Sequence, residues 1–337
     1  MSRSRIDDKL AAIERSRTIR QVATILLVLL LGVVTYLGLA FVRFEWTSLL
    51  IQLSGGTNFL EQFFPVNFVD FTLYSRDNEI TGFDAIIASF ANFPDAFLDS
   101  FGSQRTSLVR TSFVTLLLGF LGTVIGFPLA LSFGILGSER VTPFPFNFLF
   151  RGTMSAIRSI PALVWVFIYA PLVGINPSGA VLAVGTDTIG NLGRLFTDEL
   201  EEIEEGPIEA IRSTGSARSQ VISFGMLSQV SRSFIAWTLY ILEINVRIAI
   251  GLGIVGAGGI GFYIDSMQGV GAYQRMAAGI VMVFLIVVSV ELLSSRLRAR
   301  LRPGEHEGRG LVDVLRGLGD YRRWLGVNPD READADD

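Results

Sequence analysis

Six long apolar segments, separated by polar stretches, set the pattern of the chain. Each is between about 17 and 26 residues long, and an α-helix of that length crosses the hydrocarbon core of a bilayer. The predicted spans are Gln21–Val42, Leu108–Phe133, Gly152–Val173, Ser178–Leu195, Ile235–Val255 and Met276–Leu293. The pattern therefore predicts an all-α integral membrane protein with six transmembrane helices.

Polar stretches divide the chain around these spans. The predicted segments are a tail at 1–20, the first span at 21–42, an extracytoplasmic segment at 43–107, a transmembrane core at 108–293 with a polar loop at 197–233, and a charged tail at 294–337. The first apolar segment runs into bulky residues between Phe41 and Trp46, whereas a signal peptide ends at a small-residue cleavage site. We therefore expect this segment to be a retained span.

Segment 43–107 contains an apolar stripe with helical spacing. Phe83, Ile87 and Phe90 fall on one face of a helix, and Pro94 interrupts the pattern. Two interpretations are open: the helix lies on the outer surface of the membrane, or it packs against the spans.

The distribution of basic residues predicts which side of the membrane each loop faces. With the N-terminus inside, the basic residues left outside are Arg43, Arg76, Arg105, Arg110 and Arg275. Because cytoplasmic loops carry the excess of Lys and Arg, we expect both termini and the Glu204–Phe234 loop in the cytoplasm. The chain is thus predicted to be a multi-pass protein of the cell (plasma) membrane.

The Glu204–Phe234 loop is a polar interruption between two apolar segments. Pro207 suits the first turn of a helix, and Ile208 and Ile211 share one helical face. Gly215 would end that helix. A second helical pattern follows at Val221, Phe224, Leu227 and Val230. The sequence therefore predicts two short helices joined at Gly215.

The spacing of Glu209-Ala210-Ile211, Gly215 and Leu227 resembles the cytoplasmic coupling loop of ABC-transporter permeases. That family's pattern is Glu-Ala-Ala, three residues, Gly, nine residues, and Ile-x-Leu-Pro. This chain differs from the pattern at Ile211, Gly225 and Ser228. Downstream, Glu243–Arg247 and Leu252–Gly261 are similar to the phosphonate-transporter branch of the family.

The resemblance implies a type I ABC importer permease fold and a homodimer enclosing a path for a phosphonate or a related small phosphorus oxyanion. It also implies two cytoplasmic ATPase subunits, which would bind ATP and Mg²⁺, and an extracytoplasmic substrate-binding protein. ATP-driven motion would be coupled to alternating access. The residues expected to couple to the ATPase are Glu209, Ala210, Arg212, Gly215 and Leu227.

Polar residues inside the predicted spans are the candidates for the translocation path, because a buried charge is costly unless it is paired or hydrated. The candidates are Thr188, Asn191, Glu243, Asn245 and Arg247. Glu243 and Arg247 are four residues apart, so they form either a buried ion pair that fixes the helix or part of the conduit. Asp187 is expected to pair with Arg247 or Arg158, and Arg158 could equally reach the inner headgroups.

Composition narrows the chemistry. Half of the residues are hydrophobic, which is typical of a membrane protein. The absence of cysteine excludes disulfides and thiolate chemistry, and the single histidine, His306, is expected to be solvated. The chain has no Gly-x-x-x-x-Gly-Lys-Ser/Thr phosphate loop, so it cannot supply the ATPase. We expect a transport subunit without catalytic residues, cofactor, metal site or nucleic-acid partner, and with the lipid bilayer as its environment.

Three other functions stay open from the sequence. The chain could be an ion-coupled secondary transporter that uses Asp187 or Glu243, a permease of an ABC importer for another small solute, or a membrane scaffold without transport. An ATPase and a binding protein encoded beside it would favour the importer. The glycine-rich run Gly251–Gly261 is expected to let the outer end of the fifth span bend or pack closely.

Overall fold

The computed structural model describes residues 3–54 and 60–301 of the chain. Every regular element in these residues is helical. The chain divides into two compact units, Met1–Gln62 and Phe63–Asp337. His306 and most of the predicted C-terminal tail lie outside the described residues, so those predictions stay untested.

The first unit contains a long helix, α1, at Arg3–Phe41, and a short helix, α2, at Trp46–Ser54. The part of α1 that is long and apolar enough to cross a membrane is Ile19–Phe41, and its bounds lie within two residues of the first predicted span. The polar residues before it continue the same helix.

The second unit begins with three short helices, α3 at Leu73–Asp77, α4 at Asp84–Ala91 and α5 at Asp95–Gly102. Small hydroxyl side chains hold them together. The buried Thr72 Oγ1 lies 2.7 Å from Ser89 Oγ of α4, and the Leu73 amide donates to Ser100 Oγ of α5 at 2.9 Å. Hydroxyls therefore connect the three helices inside this small assembly.

The predicted apolar stripe of α4 points outward. Phe83, Ile87 and Phe90 are exposed, whereas Ala85 and Ser89 form the buried face. Ala85 belongs to the same apolar cluster as Ile260 and Tyr263, so small residues form the inner face of α4 and the stripe forms its outer face. The two interpretations of this helix stay predictions.

The core of the second unit is a bundle of long helices: α6 at Leu108–Gly137, α9 at Pro177–Glu202, α12 at Leu227–Leu252 and α14 at Tyr273–Leu301. Glycines let α6 and α9 approach closely. A Cβ atom added at Gly126 would lie 2.5 Å from the carbonyl oxygen of Gly185, and one at Gly134 would lie 2.7 Å from Phe196 Cβ. Small residues at such contacts are typical of packed transmembrane helices.

The predicted third span, Gly152–Val173, is wrong as a continuous helix. The structure has two helices there, α7 at Phe146–Arg158 and α8 at Ala162–Val173, bent by 91° relative to each other. Pro161 is the N-cap residue of α8. The ring of a proline disfavours helical backbone angles at the residue before it, here Ile160. The helix therefore breaks at this point.

Four stretches of the described residues are long and apolar enough to cross a membrane, or five if the bent pair counts as one span. Besides the one in α1, they lie at Leu108–Gly137, Arg218–Ala257 and Tyr273–Leu301. Helix α9 covers the predicted fourth span, but residues such as Asp187 and Arg194 make it more polar. The protein is therefore a multi-pass membrane protein, and the count of six spans stays a prediction.

The glycine-rich run bends the chain as expected. Helix α12 continues as a π-helical segment, Gly253–Ala257, and a separate helix, α13, follows at Gly259–Gly269. Gly256, Gly258 and Gly259 have φ angles of +97°, +94° and +76°, which only glycine adopts readily. The predicted bend is confirmed.

A buried carboxylate ties the start of the second unit to α13 and α14. Asp70 is fully buried, and its Oδ1 lies 3.0 Å from Arg76 Nε. Its Oδ2 accepts a hydrogen bond from the Tyr263 hydroxyl at 2.9 Å and lies 3.8 Å from Arg275. Three charged or polar partners from separate parts of the chain thus converge on one side chain.

The residues before α6 and the predicted coupling loop lie at opposite ends of that helix. At its start, the Leu108 amide donates to the Asp70 carbonyl at 2.7 Å. Just past its end, the Val141 carbonyl accepts a hydrogen bond from Arg218 of the loop at 2.7 Å. A 30-residue helix is about 45 Å long, so residues 63–107 and the loop face different sides of a membrane that α6 crosses.

Candidate functional site

The predicted coupling loop begins with a short helix, α10, at Glu205–Ser213, followed by a turn at Gly215. This part of the prediction is confirmed. The predicted second short helix is wrong, because helix α11 at Arg218–Gln220 runs through a π-helical segment, Val221–Met226, directly into α12. The loop is therefore one helix and a turn at the start of a long helix.

The π-helical segment also changes which side chains face inward. The buried residues are Val221, Met226 and Val230, whereas Phe224 is 70% exposed. A π turn contains more residues than an α turn, so the helical spacing that grouped Phe224 with Val221 and Val230 does not place it on their face. Phe224 thus joins the exposed surface of the loop.

The underside of α10 is firmly packed. Ile208 is 2% exposed and belongs to an apolar cluster with Phe196 and Leu200 of α9 and Val230 of α12. Leu227 is partly buried against the same cluster. In addition, Arg140 pairs with Glu205 at 2.9 Å. The loop is therefore attached to two long helices of the bundle.

The upper side of α10 is open. Glu209, Ala210, Arg212 and Gly215 are all exposed, and we call these residues together with Phe224 the coupling surface. Gly215 has a φ angle of +75°, and a Cβ atom added there would meet nothing within 4 Å. Four of the five residues predicted to couple to an ATPase are thus exposed, and Leu227 is partly buried.

A polar cavity of about 420 Å³ lies among α7, α9 and α12. Its polar lining consists of Arg158, Asp187, Asn191, Arg194, Asp198, Tyr240 and Asn245. Two of the predicted path residues, Asn191 and Asn245, are therefore brought together here. The cavity contains two arginines and two aspartates, so its formal charges balance.

Asn245 is held in one orientation by its neighbours. Its Nδ2 donates to Thr123 Oγ1 and to Thr188 Oγ1, each at 2.8 Å. Both threonine hydroxyls donate to carbonyls of their own helices, so they can only accept from Asn245. Thr188 is thus a buried support for Asn245 and does not line the cavity.

The predicted arginine partner of Asp187 is not found. Its Oδ2 accepts a hydrogen bond from Asn191 Nδ2 at 2.9 Å, and no arginine of the described chain lies within ion-pair distance. Arg194 instead pairs with Asp198 of the same helix at 3.0 Å. Arg158 lines the cavity and takes part in none of the ion pairs found in residues 3–54 and 60–301.

Glu243 and Arg247 form the predicted ion pair, at 2.6 Å. Both residues contact α14, since Arg247 also lies 3.3 Å from Glu291 and Glu243 lies 3.4 Å from Arg298. Neither residue lines the cavity. The network joins α12 to α14. A place for Glu243 and Arg247 in the translocation path stays a prediction.

Comparison with known proteins identifies the family. No protein-family model matches the chain. The phosphite transport system permease protein PtxC of Stutzerimonas stutzeri is 32% identical over 209 residues, which cover 62% of this chain and 76% of that protein. The chain belongs to the phosphonate- and phosphite-type ABC transporter permeases.

Two further relatives of this permease have related names. The phosphate-import permease protein PhnE of Mycolicibacterium smegmatis is 29% identical over 225 residues, or 66% of this chain. The match spans only 42% of that relative's own length. The Escherichia coli protein PhnE2, named for a cryptic phosphonate transport system, is 40% identical over 119 residues, covering 35% of this chain and 97% of that protein.

A solved structure supports the ABC permease fold. A chain of the MetNI methionine ABC transporter in an inward-facing conformation superposes with a TM-score of 0.53 and 22% identity. The superposition covers 58% of this permease and 95% of that chain. At this identity the likeness concerns the fold alone.

Sequence reasoning missed several residues of the permease's candidate sites. Arg194, Asp198 and Tyr240 line the cavity. Asp198 was assigned to the polar loop at 197–233, whereas α9 continues to Glu202. Arg298 was assigned to the tail because the last predicted span ends at Leu293, whereas α14 continues to Leu301. Within the described residues no group of three or more His, Cys, Asp or Glu side chains could hold a metal ion.

Proposed function

We propose that this chain is the permease subunit of an ABC importer that carries phosphonate, phosphite, phosphate or a related phosphorus oxyanion. The observation that carries the proposal is the coupling surface, which is exposed above and packed below at one end of the bundle. The names of the relatives supply the class of solute.

In this mechanism a cytoplasmic ATPase engages the coupling surface and binds ATP and Mg²⁺. Closure of the ATPase moves α10, and the apolar cluster around Ile208 passes that motion to α9 and α12. These helices also line the polar cavity. A push on the loop therefore reaches the cavity through two rigid elements, and it can shift the bundle between two packings of similar free energy.

The cavity is this subunit's share of the proposed path. Arg158 offers a guanidinium that can form a charge-assisted bond with a passing oxyanion. The amide N–H groups of Asn191 and Asn245 already donate within the protein, so Arg158 supplies the attraction. The nearby Asp187 limits it. Weak, balanced binding suits a site that a solute has to leave.

Two copies of the chain would enclose the path, and an extracytoplasmic binding protein would deliver the solute. The permease would lie in the cell membrane with its termini and coupling surface in the cytoplasm. The basic residues beside the spans and the position of residues 63–107 at the far end of α6 support this arrangement.

Gly215 provides the test. We expect Gly215→Leu, in proteoliposomes with the ATPase and binding protein encoded beside the chain, to hydrolyse ATP while phosphonate uptake falls at least about tenfold. A left-handed backbone costs other residues about 1–2 kcal/mol, so leucine would displace the turn. Gly215→Asn is the matched control, since asparagine tolerates this conformation, and it should keep most of the uptake.

Normal uptake by Gly215→Leu would contradict the coupling role. Uptake that follows an ion gradient and needs no nucleotide would contradict the importer and favour a secondary transporter.

A further inference from the structure

The outward side of α4 and α5 is an apolar face that is mostly exposed in the described residues. We define the α4–α5 apolar face by Phe83, Ile87, Phe90, Phe93 and Leu98, whose exposed fractions lie between 58% and 67%. Five large apolar side chains exposed together on two short helices are more than the scattered exposure of an ordinary surface.

The assembly of α3, α4 and α5 buries a set of hydroxyl side chains while it exposes large apolar ones. Thr72, Ser75, Ser89 and Ser100 are fully buried and hydrogen-bonded to one another or to backbone groups. Phe83, Phe90 and Phe93 lie outside, whereas Phe68 and Phe71, which precede α3, are buried. Since burial of apolar side chains and exposure of hydroxyls favours folding in water, the opposite arrangement suits an apolar surrounding.

The apolar face is also continuous with a membrane span. The ring of Phe101, at the end of α5, lies 5.2 Å from the ring of Phe113. Phe113 is exposed on α6, which is long and apolar enough to cross a membrane. The face therefore extends the lipid-facing side of α6 at the helix end opposite the coupling surface.

The composition of the face selects the hydrocarbon of the lipid over its charged headgroup. Residues 83–102 contain no lysine or arginine, so they offer nothing to an anionic headgroup. They contain no tryptophan or tyrosine either, the residues that favour the headgroup level. Their charged side chains are Asp84, Asp95 and Asp99, all exposed.

We propose that α4 and α5 are embedded side-on in the membrane leaflet at the Leu108 end of α6, with the α4–α5 apolar face in contact with acyl chains and the aspartates at the water boundary. The partner is the lipid hydrocarbon itself. This inference does not depend on the solute or on the ATPase. It can fail while the proposed function holds, and the proposed function can fail while this inference holds.

Because the chain has no native cysteine, an introduced cysteine is the only site that a thiol-reactive spin label can modify. We would attach a nitroxide to the full chain in phosphatidylcholine nanodiscs at Ile87→Cys, at Leu98→Cys and at the neighbouring control Asp99→Cys. For an apolar helix face in the acyl region, collisions with oxygen should exceed those with a water-soluble nickel chelate at least about threefold at Ile87 and Leu98. The control should show the opposite ratio.

Two results at Ile87 and Leu98 would overturn the proposal. Equal or greater access to the nickel chelate would place the face in water. Exclusion of both reagents would place it against protein, whether a partner, a second copy or another segment of this chain. A high oxygen ratio that appears only when anionic lipid is added would also overturn it, because the face has no basic residue to respond to charge.

Discussion

At the scale of single residues, we expect substitution of Asp70 to reduce stability strongly. Its buried carboxylate faces Arg76, Arg275 and the Tyr263 hydroxyl. Removal of one partner of a buried charge cluster leaves the others uncompensated, so we expect Asp70→Asn to lower the free energy of unfolding by about 2–4 kcal/mol. Thermal unfolding of the purified chain in detergent, followed by tryptophan fluorescence, would measure the loss.

Asp77→Asn is the matched control for Asp70→Asn. Asp77 pairs with Arg105 at 2.6 Å, but both side chains are about half exposed, and solvent screens such pairs. The hydrogen bond from Arg105 lowers the pKa of Asp77, so the pair persists at a pH where an ordinary aspartate is already protonated, and it is lost only as the pH falls through that lowered pKa. An unfolding temperature that drops equally in both variants near neutral pH would show that burial of Asp70 is not decisive.

Single residues also mark where sequence reasoning was sufficient. Gly215 was found because a motif with fixed spacing needs a left-handed residue at that place, and its φ angle agrees. The partner of Asp187 was missed because an arginine was expected for a charged residue inside a span, whereas a neutral amide of the same helix satisfies it. Its carboxylate is satisfied by Asn191, one turn away.

At the scale of elements, the close contact of α6 with α9 depends on glycine. A Cβ atom at Gly126 would meet the backbone oxygen of Gly185 at 2.5 Å, so the helices have to separate. We expect Gly126→Ala to lower the free energy of unfolding by about 1–3 kcal/mol through overpacking, measured by the same thermal unfolding.

Gly152→Ala in α7 tests whether the effect comes from packing. A Cβ atom there meets nothing within 4 Å, and alanine is a better helix former than glycine by about 0.5–1 kcal/mol. This variant should therefore be as stable as the wild type or more so. Destabilisation of Gly152→Ala to the level of Gly126→Ala would contradict the role given to close packing.

Long helices were predictable and their interruptions were not. Apolar runs located the spans in α1, α6, α12 and α14, because length and hydrophobicity alone decide membrane crossing. The break before α8 was missed because a proline inside a span can bend it slightly or end it, depending on tertiary contacts. The π-helical segment at Val221–Met226 was missed because no residue type in it is specific to π-helices. The segment changes which side chains share a helix face.

At the scale of the whole molecule, the two ends of α6 should face opposite sides of the membrane. We expect a membrane-impermeant maleimide to label Asp99→Cys in intact cells and to label Ser213→Cys only after permeabilisation. Both side chains are exposed, and the cysteine-free background removes competing sites. The basis is the excess of basic residues beside the loop side of the spans.

The cysteine-free parent chain is the control for background labelling. Labelling of Ser213→Cys from outside would contradict a cytoplasmic coupling surface and, with it, the proposed contact with an ATPase.

Helix α8 is short for a membrane. Its 12 residues extend about 18 Å, whereas the hydrocarbon core is about 30 Å thick. The preceding α7 adds little depth because it turns away by 91°. Wherever lipid contacts α8, this hydrophobic mismatch of about 12 Å requires the bilayer to thin or water to enter beside Pro161. Bilayer thickness therefore acts on this permease through α8, whereas α6 and α14, with 30 and 29 residues, already exceed the core.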